Sequence, residues 1–228
     1  MTETVVPQHP AGPEMTELSS CTGTLIGPDL FLTARHCASD ADGADLLSAS
    51  VTFDFQTDVN GNRPAGYAPR WFKVIGTVAA GAVPGSLLPW GTDWLILRLD
   101  TGTVGIPVTP CALRSSAPSP NEAVFAAHHP GGAAKKFQRG TLVSGDAQNA
   151  TGFDYAGGSS GSALFDADGK IIGAALAAGP LANACNAGYT RASSVTDALA
   201  HPPVPAAPWD VMVVIDRSGS MSGPGVAG

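Results

Sequence analysis

The sequence has little charge and no long hydrophobic run, and both absences exclude classes of protein. Charged residues make up only 14% of the 228 residues and hydrophobic residues 44%, so wholesale disorder is excluded. The longest apolar runs, such as residues 171–178, are far shorter than the roughly 18 residues that a membrane span needs. The net charge of −7 argues against a general nucleic-acid role, because phosphate binding favours a basic surface.

Cysteine is also scarce, and its spacing excludes two further classes. The 4 cysteines are too few for a disulfide-dense miniprotein. The sequence contains no Cys-x-x-Cys pair, so the cysteines do not indicate a zinc site. An even number at wide spacing fits two disulfides in an oxidising compartment. We therefore expect an extracellular, secreted protein. Residues 1–15 show no basic start followed by an apolar core, so we expect the N-terminus to be incomplete.

Turn-forming residues, in contrast, are abundant. The 28 glycines and 19 prolines favour many turns and short strands over helices. Short apolar or alternating runs predict strands in two groups: residues 21–26, 30–33, 51–55, 71–78 and 94–99, then 123–127, 136–143, 162–165 and 170–176. The Pro-rich residues 101–120 separate the groups, so we predict two packed β-barrels. A closing helix is expected from Val195 to about Ala200.

The character of the sequence changes after residue 200. Residues 201–208 are Pro-rich, and this composition predicts a stiff, extended linker. Val211 to Ile215 form a continuous apolar run, typical of a parallel strand that is buried on both faces. The sequence lacks the neighbours of such a strand, so we expect one orphan strand and a chain truncated at this end.

The strongest local motif is Leu32-Thr-Ala-Arg-His36-Cys37, with Cys21 sixteen positions before Cys37. A histidine beside a bridged cysteine, just past a strand, would be held rigidly. A disulfide between Cys21 and Cys37 would close a loop of about 15 residues, worth on the order of 3 kcal/mol in the loop-entropy model. The alternative is a surface histidine near two free thiols, and the motif alone does not decide between them.

A second motif, Gly157-Gly-Ser-Ser160-Gly-Ser-Ala163, precedes a predicted strand, turn and strand. The glycines allow a tight turn with Ser160 as a nucleophile and the amides of Gly158 and Ser160 in one oxyanion hole. A flexible Gly/Ser linker is the alternative, but linkers rarely run straight into a buried hairpin. A carboxylate must orient the base, and Asp93 at the start of an apolar run fits that role. An ordinary turn residue is the alternative for Asp93.

The order His36, Asp93, Ser160 resembles that of the chymotrypsin-like serine peptidases. The resemblance covers about residues 18–200, in three blocks: Thr22 to Ile26 with Leu32 to Cys37, Asp93-Trp-Leu-Ile-Leu97, and Gly188-Tyr-Thr-Arg-Ala-Ser-Ser194. It implies an all-β fold of two packed six-stranded antiparallel barrels, at about residues 18–100 and 121–192, with a short C-terminal helix. It also implies that Ser160 attacks the substrate carbonyl, His36 shuttles the proton and Asp93 orients His36.

Within this family, the motifs around Ser160 and His128-His129-Pro-Gly-Gly are more similar to bacterial glutamyl and lysyl endopeptidases than to trypsin. The residue before the nucleophile is Ser159, where the trypsin branch has an aspartate that pairs with a freshly cut N-terminus. We therefore expect no such activation switch. Adjacent strand residues point to opposite faces, so His128 and His129 cannot chelate one metal, and we expect them to pack near the substrate cleft.

The primary specificity stays open between two interpretations. Asp154 lies six residues before Ser160, where trypsin-like members place the carboxylate that selects Lys or Arg on the acyl side of the cleaved bond. In the bacterial branch a Tyr-Asp pair often precedes the glycines without that role. Gly179 and Gly188 would line an open pocket. No histidine lies between residues 173 and 189, so the anion-binding pocket of glutamyl endopeptidases is missing.

The resemblance also bears on the remaining cysteines. Cys185 falls where the family usually has a cysteine beside the specificity pocket, but its usual partner position is Ala156. We therefore expect a disulfide between Cys111 and Cys185, one of three possible connectivities. Two free buried thiols are the alternative.

The tail carries a resemblance of its own. Asp216-x-Ser218-x-Ser220 after an apolar run resembles the metal-ion-dependent adhesion site of von Willebrand factor A domains, over residues 209–228. In those domains one carboxylate and two hydroxyls help to bind Mg²⁺, a cation that prefers oxygen ligands. Later ligand loops are absent, so we expect Mg²⁺ only in a complete parent domain and no cofactor for catalysis. A Ser- and Gly-rich turn is the alternative.

These interpretations divide the chain into an N-terminal arm (1–17), a peptidase domain (18–200), a linker (201–208) and the start of an adhesion domain (209–228). The expected activity is hydrolysis of protein or peptide substrates through a Ser-His-Asp triad and an acyl-enzyme, with no nucleic-acid partner and no membrane span. Two alternatives remain. One is an inactive peptidase-like binding module, and the other is an accessory module of a metal-dependent protein that binds an adhesion ligand.

Overall fold

Short antiparallel strands dominate the structure, as the turn-rich composition predicts. The computed structural model describes residues 21–38, 46, 47, 49–58, 60–62, 65–81, 93–102, 106, 108–143, 150, 151, 153, 155–177, 186–191 and 213–216. The strands are β1 (Cys21–Leu25), β2 (Leu30–Thr33), β3 (Ser50–Thr52), β4 (Trp71–Ala80), β5 (Leu95–Leu99), β6 (Ala123–His128), β7 (Lys136–Leu142), β8 (Ala150–Thr151), β9 (Ala163–Phe165), β10 (Ile171–Ala177), β11 (Asn186–Arg191) and β12 (Val213–Asp216). Single turns of 3-10 helix occur at Arg35–Cys37 and Pro130–Gly132.

The strands close into two barrels of six strands each, which confirms the predicted architecture. The first barrel has the order β1-β12-β3-β4-β5-β2, and the second has the order β10-β11-β8-β7-β6-β9. Every strand pair between these neighbours is antiparallel. The first barrel is filled by side chains that include Leu25, Phe31 and Val51, and the second by side chains that include Phe153 and Leu164.

A third apolar cluster joins the barrels, and the period-2 alternation of strands explains it. On β2, Phe31 belongs to the core of the first barrel, whereas the adjacent Leu32 belongs to a cluster that contains Phe165 and Ile171 of the second barrel. On β5, Leu95 and Ile96 divide between the same two clusters. Strands β2 and β5 therefore contribute apolar side chains to both clusters, and Leu32 and Ile96 lie at the junction of the barrels.

One predicted feature of the C-terminal region is wrong. We expected Val211 to Ile215 to form an orphan strand of parallel type, but β12 is antiparallel and lies between β1 and β3, with Val214 opposite both Thr22 and Thr52. The physical reason is that without β12 the strands β1 and β3 would each have an edge with unpaired backbone groups. A strand inserted between them forms hydrogen bonds with both edges. The predicted linker and the predicted helix at residues 195–200 lie outside the described residues.

Helices contribute little to the described part of the chain. None of the helices within the ranges given above has the length and hydrophobicity needed to cross a membrane.

Candidate active site

Ser160 lies in a tight turn that leads into β9. Gly158 and Gly161 flank it with φ angles of +93° and +84°, a region of backbone conformation that side chains disfavour. The amide of Ser162 donates to the carbonyl of Ser159 at 3.1 Å, which closes the turn around Ser160. Ser159 and Ser162 are buried, whereas Ser160 is partly exposed. Ser160 is therefore the serine of this turn that is accessible to a substrate.

His36 follows β2 in a single 3-10 turn and contacts Asp93, which precedes β5. His36 Nδ1 lies 2.6 Å from Asp93 Oδ2, and the backbone amide of His36 donates to Asp93 Oδ1 at 2.8 Å. Asp93 is fully buried, while the His36 side chain is 35% exposed. Because a carboxylate only accepts hydrogen bonds, Nδ1 of the neutral ring carries the proton, and Nε2 has the lone pair that can take another.

Hydrogen bonds from β1 hold the turn at residues 157–162 in place, which is called the nucleophile turn below because it carries the predicted nucleophile Ser160. The amide of Thr22 donates to the carbonyl of Ser160 at 2.7 Å, and Thr22 Oγ1 donates to the carbonyl of Gly158 at 2.6 Å. A Cβ atom at Gly161 would lie 2.2 Å from the carbonyl oxygen of Thr22 and 2.3 Å from Thr33 Oγ1. Only glycine allows this close approach, so the turn packs directly on the two strands that lead to His36.

The predicted disulfide reinforces this arrangement. Cys21 and Cys37 are bridged, with their Cα atoms 6.1 Å apart, and this confirms the first of the two expected disulfides. The Cys37 sulfur lies 3.9 Å from the carbonyl oxygen of Ser160. Since Cys37 is the immediate neighbour of His36, the turn that carries Ser160 lies close to the chain segment that carries the His36–Asp93 pair.

The backbone amides of Gly158 and Ser160 are the two that the sequence predicts for an oxyanion hole. Within the described residues, the amides of Gly158 and Ser160 donate no hydrogen bond. The amide of Gly131 holds the turn from the other side, since it donates to the carbonyl of Gly157 at 2.6 Å. A Cβ atom at Gly158 would lie 2.5 Å from the carbonyl oxygen of His129, so this position also requires glycine.

A second histidine, His128 at the end of β6, lies directly behind the nucleophile turn. It is fully buried, with Nδ1 2.8 Å from Ser159 Oγ and Nε2 2.9 Å from Gln138 Oε1. Its ring stacks on Tyr155 with ring centroids 4.5 Å apart. No motif in the sequence predicts this contact with Ser159. The only signal was the absence of the usual aspartate at position 159, which left the anchor of the turn unexplained.

His129 points to the opposite face, as the alternation of strand residues predicts. Its ring stacks on Phe55 of the first half of the chain, and Nδ1 donates to the carbonyl of Ala133 at 2.8 Å. Complete burial lowers the pKa of His129 to about 3, although the hydrogen bond to Ala133 acts in the opposite direction. The ring is therefore neutral at physiological pH and serves packing between the two halves of the chain.

Several predicted site residues lie outside the described residues: Asp154, Gly179, Cys185, Ser218 and Ser220. Gly188 lies on β11 opposite Ala177 of β10, next to an irregularity in the register. Asp216 ends β12 opposite Ser50. The predicted specificity pocket, the second disulfide and the predicted metal ligands thus stay predictions.

One cluster of metal-binding residue types is explained by the disulfide. The side-chain donor atoms of Cys21, His36 and Cys37 lie within 4.8 Å of one another. Both sulfurs are consumed by the disulfide, so this cluster offers no thiolate ligand.

The fold and the site define a peptidase of the chymotrypsin type. Residues 21–173 match the family model described as "Trypsin-like peptidase domain". The chain belongs to this family, and membership implies a serine protease that acts on proteins or peptides. No curated protein matches the chain at a significant level.

Comparison with solved structures supports the fold. The active form of the Rv3671c protease from M. tuberculosis has a TM-score of 0.53 and 19% identity, and the match covers 86% of this chain and 80% of that chain. A Glu endopeptidase has a TM-score of 0.57 and 20% identity, covering 83% and 93%. The human heparin binding protein has a TM-score of 0.57 and 17% identity, covering 87% and 97%. At such identities the likeness shows the fold alone.

Proposed function

We propose that the protein is a serine endopeptidase that hydrolyses peptide bonds through an acyl-enzyme on Ser160. The observation that carries the proposal is the buried Asp93 carboxylate, which holds His36 Nδ1 at 2.6 Å beside the nucleophile turn. This contact fixes the tautomer in which Nε2 accepts a proton. An ordinary turn carboxylate is exposed to solvent, whereas Asp93 is buried against His36. A buried carboxylate in this position can stabilise the positive charge that His36 acquires when it takes the serine proton.

The proposed reaction uses the residues in two half-reactions. Ser160 Oγ attacks the carbonyl carbon while His36 Nε2 takes its proton, and the amides of Gly158 and Ser160 donate to the oxyanion. His36 then gives the proton to the leaving amine, which releases the first product. A water molecule, activated by the same histidine, hydrolyses the acyl-enzyme and regenerates Ser160. Asp93 orients the ring and stabilises the imidazolium in both halves.

A hydrolysis assay tests this proposal. We expect the oxidised protein to cleave bonds in a mixed peptide library, and Ser160→Ala or His36→Ala to lower kcat by on the order of 10⁴-fold or more. Ser115→Ala, which truncates an exposed serine of the central linker, is the matched control and should keep full activity. A folded, disulfide-bonded wild type that cleaves nothing would instead favour the alternative of an inactive binding module.

We further propose a preference for Lys or Arg on the acyl side of the cleaved bond. The support is the position of Asp154, six residues before Ser160, and the lack of a histidine between residues 173 and 189. Asp154→Asn should lower kcat/KM for basic residues at least tenfold while it changes cleavage after apolar residues little. An unchanged preference in the peptide library would remove Asp154 from the pocket.

We also propose that the protein is secreted. The Cys21–Cys37 disulfide supports it, because such bonds persist in oxidising compartments and are rare in the cytosol. Alkylation of the thiols in freshly harvested cells and medium tests this point. The proposal predicts that Cys21 and Cys37 are found oxidised in the medium, and recovery of the protein in the cells with both thiols reduced would contradict it.

The adhesion-domain alternative rests on the tail motif Asp216-x-Ser218-x-Ser220. Its support is the sequence string alone, and the incorporation of β12 into the first barrel argues against an independent domain at this point. Calorimetric titration of Mg²⁺ into a chain extended beyond residue 228, where the gene encodes one, distinguishes the two. Binding that is lost in Asp216→Ala would support an adhesion site, and no binding would leave the peptidase as the function.

A further inference from the structure

A relay of polar side chains runs from β7 through β6 to the nucleophile turn. It consists of Gln138, His128 and Ser159, with distances of 2.9 Å from Gln138 Oε1 to His128 Nε2 and 2.8 Å from His128 Nδ1 to Ser159 Oγ. His128 is fully buried and Ser159 is 1% exposed. The relay therefore lies in the interior, behind Ser160, and contacts the turn at the residue before the proposed nucleophile.

The direction of the hydrogen bonds in this relay follows from its chemistry. Gln138 Oε1 can only accept, so His128 Nε2 donates. Because the ring is fully buried, its charged form is disfavoured, and Nδ1 of the neutral ring is left as an acceptor. Ser159 Oγ–H must then donate to Nδ1. The amide of Ala156 donates to Ser159 Oγ at 3.3 Å, so this hydroxyl both accepts and donates. Gln138 Oε1, both ring nitrogens of His128 and Ser159 Oγ thus each have a hydrogen-bond partner in the described part of the chain.

The turn needs such an anchor. Gly158 and Gly161 both have positive φ angles, and glycine has little intrinsic preference for that region over others. Ser159 is the residue between the two proposed oxyanion amides, those of Gly158 and Ser160. A rotation of the peptide units on either side of Ser159 would turn one of these amides away from the substrate. Fixing the Ser159 side chain inward limits that rotation.

We propose that His128 is a positioning residue: by accepting a hydrogen bond from Ser159, it keeps the oxyanion amides of Gly158 and Ser160 in their active orientation. The inference rests on the proposed function, which gives those two amides their role. It assigns to a neutral internal histidine the task that an ion pair with a new N-terminus performs in the trypsin branch. The turn is then in its active form without cleavage of the chain.

Two conservative substitutions separate positioning from simple packing. In His128→Asn the side-chain oxygen can take the place of Nδ1 and accept from Ser159, but the donor to Gln138 is lost. In His128→Gln the side-chain nitrogen can take the place of Nε2 and donate to Gln138, but the acceptor for Ser159 is lost. Both variants lose the ring that stacks on Tyr155, so a role in packing alone would affect them equally.

The expected result is a difference between these variants in kcat. Loss of one oxyanion donor lowers kcat by about 10²–10³-fold. A turn that is only loosened should lower kcat by less than this, but by at least about tenfold. We expect this loss in His128→Gln and in Ser159→Ala, with KM changed less than about threefold, because substrate binding does not use the amides before the reaction starts. His128→Asn should retain activity within about threefold of the wild type.

Ser159→Ala gives a second route to the same bond, since it removes only one oxygen atom from a buried position and preserves the imidazole. The double variant Ser159→Ala/His128→Gln should be no slower than the slower single variant, because both remove the same contact. Equal losses in His128→Asn and His128→Gln, or a loss confined to KM, would overturn the proposal.

Hydrogen exchange at residues 157–162, measured by mass spectrometry on the same proteins, gives a readout that does not depend on activity. The proposal predicts faster exchange in His128→Gln and Ser159→Ala but not in His128→Asn. If the wild type proves inactive while this pattern is seen, the proposed function fails and the anchoring of the turn stands. Unchanged exchange in all variants would refute the anchor even in an active enzyme.

Discussion

At the scale of single residues, the site depends on a few atoms whose positions leave little freedom. Asp93 is fully buried, and its two carboxylate oxygens accept one hydrogen bond each from the ring and the backbone of His36. The ring can therefore neither flip nor change tautomer without breaking a contact with a buried charge. The contact with Asp93, and not the partial exposure of the ring, therefore determines which nitrogen of His36 can accept a proton.

Asp93→Asn tests that constraint. The amide is nearly the same size, so the geometry is retained, but its nitrogen would donate to His36 Nδ1 and favour the tautomer whose Nε2 carries the proton. We expect kcat to fall by about 10⁴-fold, the size of this effect in the standard serine-protease triad. Peptide hydrolysis measures it, with the circular dichroism spectrum as control for folding. A loss of less than tenfold would contradict the assigned role of Asp93.

Two adjacent glycines provide a matched pair for the oxyanion turn. A Cβ atom at Gly158 would lie 2.5 Å from the carbonyl of His129 and 2.8 Å from the amide nitrogen of Gly132, whereas a Cβ atom at Gly157 would meet nothing within 4 Å. Gly158→Ala should lower kcat by about 10²–10³, as loss of an oxyanion donor does, and should also reduce thermal stability. Gly157→Ala should leave both nearly unchanged. Similar kinetics in the two variants would contradict the account of the turn.

At the scale of secondary structure, most strands could be predicted from the sequence and a few could not. Runs such as 30–33, 71–78 and 123–127 agree closely with β2, β4 and β6, because alternating or continuous apolar residues are the direct signal of a strand. Strand β8 has only two residues and therefore carries no periodicity that a sequence pattern could reveal. The strand β12 was predicted as an element, but its partners could not be inferred.

The reason for the error at β12 is physical. A continuous apolar run indicates burial on both faces, and this condition is met equally by a parallel sheet and by a small closed barrel. Local sequence does not contain the information that β1 and β3 each lack a neighbour. Only the closure of the whole barrel decides the partner, and this depends on residues almost 200 positions apart, as for Cys21 and Ile215.

Two shortened chains test the place of β12. A chain that ends after Pro208 loses the strand and leaves β1 and β3 with open edges, whereas a chain that ends after Asp216 keeps it. Each backbone hydrogen bond contributes about 0.5–1.5 kcal/mol, and for a protein of this size 1 kcal/mol corresponds to roughly 2–4 °C. We expect the shorter chain to melt at least about 5 °C lower in calorimetry. Equal melting temperatures for both chains and the full sequence would show that β12 does not complete the barrel.

At the scale of the whole molecule, the junction between the barrels holds the candidate site and also makes the stability of the fold depend on pH. His129 is completely buried there against Phe55, and burial lowers its pKa to about 3. In the unfolded chain the same ring has a pKa of about 6.5. Below pH 6.5 the unfolded state therefore binds a proton that the folded state does not, and stability falls as the pH decreases.

This difference predicts a specific pH dependence. Between pH 6.5 and about 3 the buried His129 should lower the free energy of unfolding by on the order of 1 kcal/mol per pH unit, with little effect above pH 7. His129→Phe keeps a ring against Phe55 and removes the titration, so its free energy of unfolding should fall less between pH 6.5 and 4. Chemical denaturation across this range measures the difference. Parallel pH profiles for the two proteins would contradict the burial of a neutral His129.

The candidate site could be predicted from the sequence only where a local motif marks it. His36, Asp93 and Ser160 stand in short motifs with a chemical logic, and the structure pairs His36 with Asp93. Thr22 and His128 contact residues of the nucleophile turn but come from distant strands, so no spacing reveals them. The general rule is that reacting groups are marked by motifs, while the residues that hold them in place emerge from the packing of the fold.

The central claim is that Ser160 is a nucleophile activated by His36, and covalent labelling tests it most directly. We would treat the folded, oxidised protein with a fluorophosphonate and locate the adduct by mass spectrometry. The account predicts one adduct per chain, on Ser160, which is lost in Ser160→Ala and His36→Ala and retained in Ser115→Ala. An unlabelled wild type, or an adduct on another serine, would contradict it.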